Sequence, residues 1–263
     1  MPLPIINWQP RLIWNEQELN FGKYVKMKRV AILQTGVNNP NLSAHYPDYP
    51  SMFRTLIGQA QATPMIELVS FPVLEGSFFP DIDRFDGFII TGSASGVYEK
   101  TEWMKELFAF IRVAHEKKKK IAGFCFGHQA IAVALGGKVI KSEKGWGAGI
   151  KKHGVKSKKD WMTPYVSNLQ LIYMHQDQVV KLPESAVLLS GDNFCLFSAF
   201  TIGEHILSMQ GHPEFSNEFV KDLIMLRTDS IGIRKTNLAL NSLSNPHDGT
   251  IVGQWIVNLL CSP

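Results

Sequence analysis

Gly123-Phe124-Cys125-Phe126-Gly127 sets a thiol between two glycines, where the short apolar run "KIAGF" (Lys120 to Phe124) gives way to a helical pattern over Gly127 to Leu135. Ile131, Ala134 and Leu135 recur on one helix face, so the chain switches from strand to helix around Cys125. Glycine-x-nucleophile-x-glycine is the spacing of a nucleophile elbow, which lifts a reactive side chain out at the top of a parallel sheet. The missing Cβ atoms at Gly123 and Gly127 permit the tight turn and the close approach of strand and helix. A helix N-terminus behind the thiol favours negative charge there. The chemistry on offer is attack of a thiolate on a carbonyl carbon.

Such a nucleophile needs a base that takes and returns a proton, and the base needs an orienting group. "LSMQGHPEF" (Leu207 to Phe215) supplies both. Ile206 to Gln210 predicts a strand, and His212 and Glu214 follow at i and i+2, on the same side of an extended chain. Pro213 biases His212 towards that extended conformation. Glu214 can then reach one imidazole nitrogen while the other faces Cys125 across the strand tips. An oxyanion would need donors, and "GFIITGSASGVYE" (Gly87 to Glu99) is an apolar strand breaking into a small-residue loop with free N–H groups near Gly92 and Ser93. The N–H of Phe126, one past the thiol, is the second candidate donor. Taken singly, each feature has a plainer reading: a small buried cysteine, a structural histidine, an acid near a helix N-cap, a surface turn.

The elements that must position these groups follow the same logic. Strands are predicted at Arg29 to Gln34, Met65 to Phe71, Gly87 to Thr91 and Lys120 to Phe124, separated by helices near Ser51 to Gln61 and Thr101 to Lys117. That alternation implies right-handed βαβ units and a parallel sheet covered on both faces. After Gly137, closely spaced strands at Lys138 to Lys141, Gly149 to Lys156, Leu171 to His175, Ala186 to Ser190, Cys195 to Phe200 and Ile206 to Gln210 suggest an antiparallel extension or edge. Helices are predicted at Ser216 to Arg227 and roughly Asp248 to Leu260, with an Asn- and Ser-rich loop between them. The expected fold is an α/β, flavodoxin-like, mostly parallel sheet flanked by helices, with a smaller antiparallel extension. Residues 27–263 read as one domain, and residues 1–26 as an extension outside the alternation.

Composition bounds the partners. With 45% hydrophobic and 19% charged residues among 263, the chain is an ordinary globular one. No apolar stretch approaches a membrane span, and Met1 to Lys26 lacks the layout of a secretory leader, so a cytoplasmic setting without membrane contact is expected. Three cysteines, Cys125, Cys195 and Cys261, with no Cys-x-x-Cys pair suggest neither a disulfide frame nor a zinc site. The formal net charge of +4 comes largely from "KKKK" at 117–120 and "KKHGVKSKK" at 151–159, which lack an RNA-reading signature, so no nucleic-acid partner is expected.

The Gly-x-Cys-x-Gly turn, the Gly-rich strand end before it and the later His-Pro-Glu together make the chain resemble the class I (triad) glutamine amidotransferases, over about Arg29 to Arg227. Free-standing, GMP-synthase-like members and plant-type gamma-glutamyl peptidases are similar, sharing runs like "CFGHQ", "HQDQV..LPESA" and "QGHPE". The resemblance implies a catalytic triad of Cys125, His212 and Glu214, an oxyanion hole at Gly92 and Phe126, and no metal or organic cofactor. It implies a glutamine pocket at Gln129 and at His175, Gln176 and Asp177, within "YMHQDQV" (Tyr173 to Val179). The implied reaction is hydrolysis of the γ-glutamyl amide of glutamine through a thioester, the ammonia passing to an accepting partner protein. Cleavage of γ-glutamyl peptides such as glutathione conjugates is the second reading, and a DJ-1-like redox-sensing or binding protein the third. The loop "TGSASG" departs from the Gly-Gly-Pro type turn of many relatives, and the roughly 36 residues after Arg227 hold no synthetase domain.

Overall fold

Lys28–Leu33 forms strand β1 and buries Val30, Ala31, Ile32 and Leu33. A continuous apolar run of this kind suits a parallel strand covered on both faces. The computed structural model describes residues 27–60, 66–76 and 79–262, so the extension read at residues 1–26 lies outside the described residues. The other strands are β2 (Ile66–Phe71), β3 (Gly87–Ile90), β4 (Lys120–Phe124), β5 (Lys138–Lys141), β6 (Gly147–Gly154), β7 (Asn168–His175), β8 (Asp177–Lys181), β9 (Ala186–Ser190), β10 (Ala199–Ile202) and β11 (Ile206–Met209). The helices are α1 (Pro40–Ser43), α2 (Tyr49–Gln59), α3 (Glu102–Glu116), α4 (Phe126–Ala134), α5 (Asn217–Leu226), α6 (Thr228–Ile231), α7 (Ile233–Ser242) and α8 (Gly249–Cys261).

A seven-stranded sheet runs in the order β2-β1-β3-β4-β11-β10-β9. The first five strands are parallel neighbours, and β10 is antiparallel to both β11 and β9. Alternate side chains of β1 point to opposite faces. Val30 and Ile32 join Phe53 and Leu56 of α2 and Val252, Trp255 and Ile256 of α8 in one core. Ala31 and Leu33 join Met104, Leu107 and Ile111 of α3 and Ile131 of α4 in the other. The expected flavodoxin-like, mostly parallel sheet is therefore what the chain forms, with β5–β8 and β6–β7 as separate antiparallel pairs.

Three expectations need correction. The strands after Gly137 are not all extension: β9, β10 and β11 complete the central sheet, and β11 lies parallel to β4 in its middle. The strand expected from Cys195 begins only at Ala199, because the Asp192 carboxylate accepts from the N–H groups of Phe194 (2.9 Å) and Cys195 (2.7 Å) and holds that stretch as a turn. The Asn- and Ser-rich stretch after Arg227 is not a loop but carries α6 and α7. Helix α7 lies on β6 through small groups: a Cβ at Gly149 would come within 2.8 Å of Ala239, and Ser242 Oγ accepts from the Ile150 N–H at 2.8 Å. Its Ile233 and Leu238 face solvent while Ala239 and Leu240 pack inward, so apolar residues fall on both sides of the helix.

Candidate active site

Strand β4 ends at Phe124 and α4 starts at Phe126, leaving Cys125 to make the whole turn with φ 51° and ψ −103°. Such a backbone costs a non-glycine residue on the order of 1–3 kcal/mol and persists only where the surroundings over-determine it. Here they do. The Cys125 N–H donates to Met209 O of β11 at 2.9 Å, and its carbonyl accepts from Gln129 N at 3.1 Å. A Cβ at Gly127 would overlap the Ile90 carbonyl, and one at Gly123 would overlap Ile131, so the two glycines let α4 settle on β3 and β4. The thiol is 6% exposed at the carboxyl end of the sheet.

Strand β11 runs beside β4 and delivers His212 to that same end. The His212 N–H donates to Ile172 O at 2.8 Å, tying this segment to β7. Its Nδ1 donates to Glu214 Oε1 at 2.8 Å, and its ring stacks on Phe215 with centroids 3.9 Å apart and planes 8° from parallel. The remaining nitrogen is left for Cys125, which lines one narrow cleft with the ring and whose charge acts on it. Burial by itself would lower the His212 pKa; the charges of Glu214 and Cys125 outweigh it and hold the imidazole above its ordinary value, as the imidazolium.

The loop after β3 closes the other side. A Cβ at Gly92 would stand 3.1 Å from His212 Cε1, a crowded contact that would press on the ring, and at an ordinary 3.7 Å from Cys125 Cβ. Thr35 braces the loop, donating from Oγ1 to Thr91 O at 2.9 Å, while Thr91 O also accepts from Gly127 N at 3.2 Å. Among the described residues, none accepts from the N–H of Gly92 or of Phe126.

From Cys125 a polar cavity of about 230 Å³ opens between this loop and the start of β8. Gln129, His175, Gln176 and Asp177 line it, as expected. The Gln129 amide nitrogen donates to Asp177 O (3.0 Å) and Gln210 Oε1 (3.1 Å), so this side chain braces the wall and offers the cavity its oxygen. His175 Nδ1 donates to Asp177 O at 3.0 Å, and burial pushes its pKa down to about 4, so the ring is neutral. Asp177 Oδ1 accepts from Tyr98 OH at 3.1 Å, and burial pulls this half-buried carboxyl upward. Glu99, Met174 and the loop from Ser93 to Gly96 line it too, with Tyr98, Lys141, Trp146 and Arg227; no motif announced the last four, because each comes from a different segment. A larger, mainly apolar cavity of about 360 Å³ lies behind Glu214, between α2 and α5, but does not include Cys125. Size alone would select neither, since a cleft of about 460 Å³ at Asp160, Trp161 and Asn258 is larger still; the chemistry selects the cavity that holds the thiol.

The arrangement can be set beside known proteins. The family model for "Glutamine amidotransferase class-I" matches residues 63–225. The chain belongs to that family. Among curated relatives, gamma-glutamyl peptidase 4 of Arabidopsis thaliana is 33% identical over 68% of this chain and 72% of that protein. Gamma-glutamyl peptidase 3 of the same plant is 30% identical over 75% of this chain and 81% of that protein. A crystal structure of a glutamine amidotransferase from Thermotoga maritima superposes with a TM-score of 0.68 at 18% identity, covering 89% of this chain and 96% of that one. The crystal structure of a glutamine amidotransferase from Methylobacillus flagellatus does so with a TM-score of 0.62 at 17% identity, over 89% and 93%. At such identities these two speak for the fold alone. Among the described residues, no helix is long and apolar enough to cross a membrane.

Proposed function

We propose that the protein hydrolyses γ-glutamyl amide bonds through a γ-glutamyl thioester on Cys125. The observation that carries this reading is the His212 ring, held by Glu214 at 2.8 Å and sharing a narrow cleft with Cys125 at the mouth of a polar cavity. The thiolate adds to the amide carbonyl, forming the C–S bond and moving an electron pair onto oxygen. The N–H groups of Gly92 and Phe126 are the donors assigned to that oxyanion. As the tetrahedral centre collapses, the C–N bond breaks and the His212 imidazolium gives its proton to the departing nitrogen. Neutral His212 then takes a proton from water as its oxygen adds to the thioester carbonyl; the C–S bond breaks, releasing the γ-carboxylic acid and restoring the Cys125 thiolate beside the His212 imidazolium. Glu214 orients the ring and stays ionised. Gln129, His175, Gln176 and Asp177 hold the glutamyl end, with Tyr98 beside Asp177. Each step runs on these groups and water.

Glutamine and γ-glutamyl peptides share this chemistry and differ in what leaves. Glutamine releases ammonia, which a partner protein would have to accept, whereas a peptide releases an amino acid or peptide and needs no acceptor. Relatives at 30–33% identity carry the name gamma-glutamyl peptidase, so γ-glutamyl peptides are the substrates we assign, with glutamine as the poorer one. A redox sensor would need the thiol alone and gives the His212–Glu214 pair no task. We place the reaction in the cytoplasm, whose reducing poise keeps a nucleophilic thiol available.

The test is kcat/KM for glutamine, γ-glutamylcysteine, glutathione and an α-glutamyl dipeptide. A pocket that pairs the substrate's α-amino and α-carboxyl groups rejects a compound lacking that arrangement by roughly 10⁴-fold. The γ-linked compounds are therefore expected to be cleaved and the α-linked one not. Comparable cleavage of the α-linked dipeptide would overturn the pocket assignment, and preference for glutamine would return the reading to a glutaminase.

A further inference from the structure

Two cations line the cavity at Cys125, and they differ in what they face. Lys141 is close enough to the Asp177 carboxylate to act on it, at the end where the glutamyl group is placed. Arg227 lines the polar cavity and also a narrow cleft of about 20 Å³ that holds Cys125 with Gly92, Tyr49, His212 and Phe215. This cleft is the His212 side of the thiol. His212 must hand its proton to the departing nitrogen, so the leaving group lies on this side, away from Gln129 and Asp177.

Arg227 is half-buried, its guanidinium 5.3 Å from the centre of the Trp146 ring. Among the described residues no carboxylate comes within ion-pair distance of it. A half-buried guanidinium that lines the reacting centre and makes no ion pair has its donors free for a ligand, and its planar fork matches a carboxylate in two parallel hydrogen bonds. Tyr49, in the same cleft, has its phenol pushed up to about 12 by burial and remains a neutral side chain there.

Resting on the thioester reading above, we propose that Arg227 receives a carboxylate carried by the leaving group, so that the protein selects γ-glutamyl amino acids and peptides with a free terminal carboxylate. The site then recognises its substrate at both ends. The glutamyl head lies along the start of β8, and the tail carboxylate lies at the junction of α5 and α6.

The experiment compares γ-glutamylalanine with its terminal carboxamide, which has the same size and no charge on the leaving group. A hydrogen-bonded charge contact corresponds to roughly 10- to 100-fold, so the full-length protein is expected to prefer the acid by at least about 10-fold in kcat/KM. Arg227→Gln is expected to lower kcat/KM for the acid at least about 10-fold more than for the carboxamide, and Arg227→Lys to keep part of the preference. Equal rates on acid and carboxamide in the unaltered protein would overturn the proposal, a comparison that needs no variant to fold. Equal losses on both substrates in Arg227→Gln would also overturn it, placing Arg227 at the glutamyl head instead. Failure of the underlying reading is distinguishable: neither compound would be cleaved and Cys125 would gain no γ-glutamyl adduct.

Discussion

At the scale of single residues, the roles proposed for Cys125, His212 and Glu214 differ in what each removal does. His212→Ala is expected to abolish turnover nearly as fully as Cys125→Ala, because members of such a unit act together. Glu214→Gln is expected to leave measurable activity, since Glu214 orients the ring without moving the proton. Steady-state rates of the three variants check this ranking, and a Glu214→Gln as dead as Cys125→Ala beside an active His212→Ala would reverse the assignments. Iodoacetamide is expected to label Cys125 before the other thiols, because burial pushes Cys195 up to about 12 and raises Cys261 as well. Peptide mapping that found Cys195 or Cys261 modified with Cys125 intact would contradict it. Cys125, His212 and Glu214 were legible in the sequence because each sits in a short motif whose spacing has a geometric reason. Tyr98, Trp146 and Arg227 were not, since the cavity gathers them from the loop after β3, the start of β6 and the end of α5. The bracing by Gln129 depends on its distance to Gln210, which only the fold creates.

At the scale of elements, the elbow depends on how closely α4 lies against β3. Gly127→Ala would drive a methyl into the Ile90 carbonyl, with the helix N-terminus already bonded to Thr91 O at 3.2 Å. Overpacking of this kind costs about 1–3 kcal/mol, and here it would also displace the turn that carries the thiol. The expected outcome is a lower thermal midpoint together with a loss of kcat, and a variant as stable and active as the unaltered protein would show that the contact is slack. Strand β4 and helix α4 were readable because the period changes at a Gly-x-Cys-x-Gly boundary. Helix α7 was not, because it buries Thr236 and Ala239 and exposes Ile233 and Leu238, so its apolar residues are split between its inner and outer faces. Strand β8 was missed for a related reason, following β7 after the single residue Gln176 with no Gly, Pro or Asn to mark the bend.

At the scale of the whole molecule, several buried histidines are neutral in the folded chain. Burial lowers His128 to about 3, His175 to about 4 and His205 to about 4. Below the ordinary histidine pKa the unfolded chain takes up protons that these folded sites refuse, so stability falls as pH drops from about 6.5 towards 4. His212 does not oppose this limb, being protonated there in both states. Urea midpoints across pH 8 to 4 are expected to decline on the acid side, and a flat profile would show that these rings are protonated in the fold. Removing residues 1–26 is expected to leave fold and activity nearly intact, since β1 begins at Lys28 and residues 27–263 are proposed to fold as one unit. A truncated chain that melted many degrees lower would refute that boundary. The central claim is the covalent step, and rapid-quench mass spectrometry of the protein turning over γ-glutamylcysteine addresses it directly. The expected result is a transient γ-glutamyl adduct that maps to Cys125 and is absent from Cys125→Ala. Turnover without any adduct, or an adduct on another residue, would contradict it.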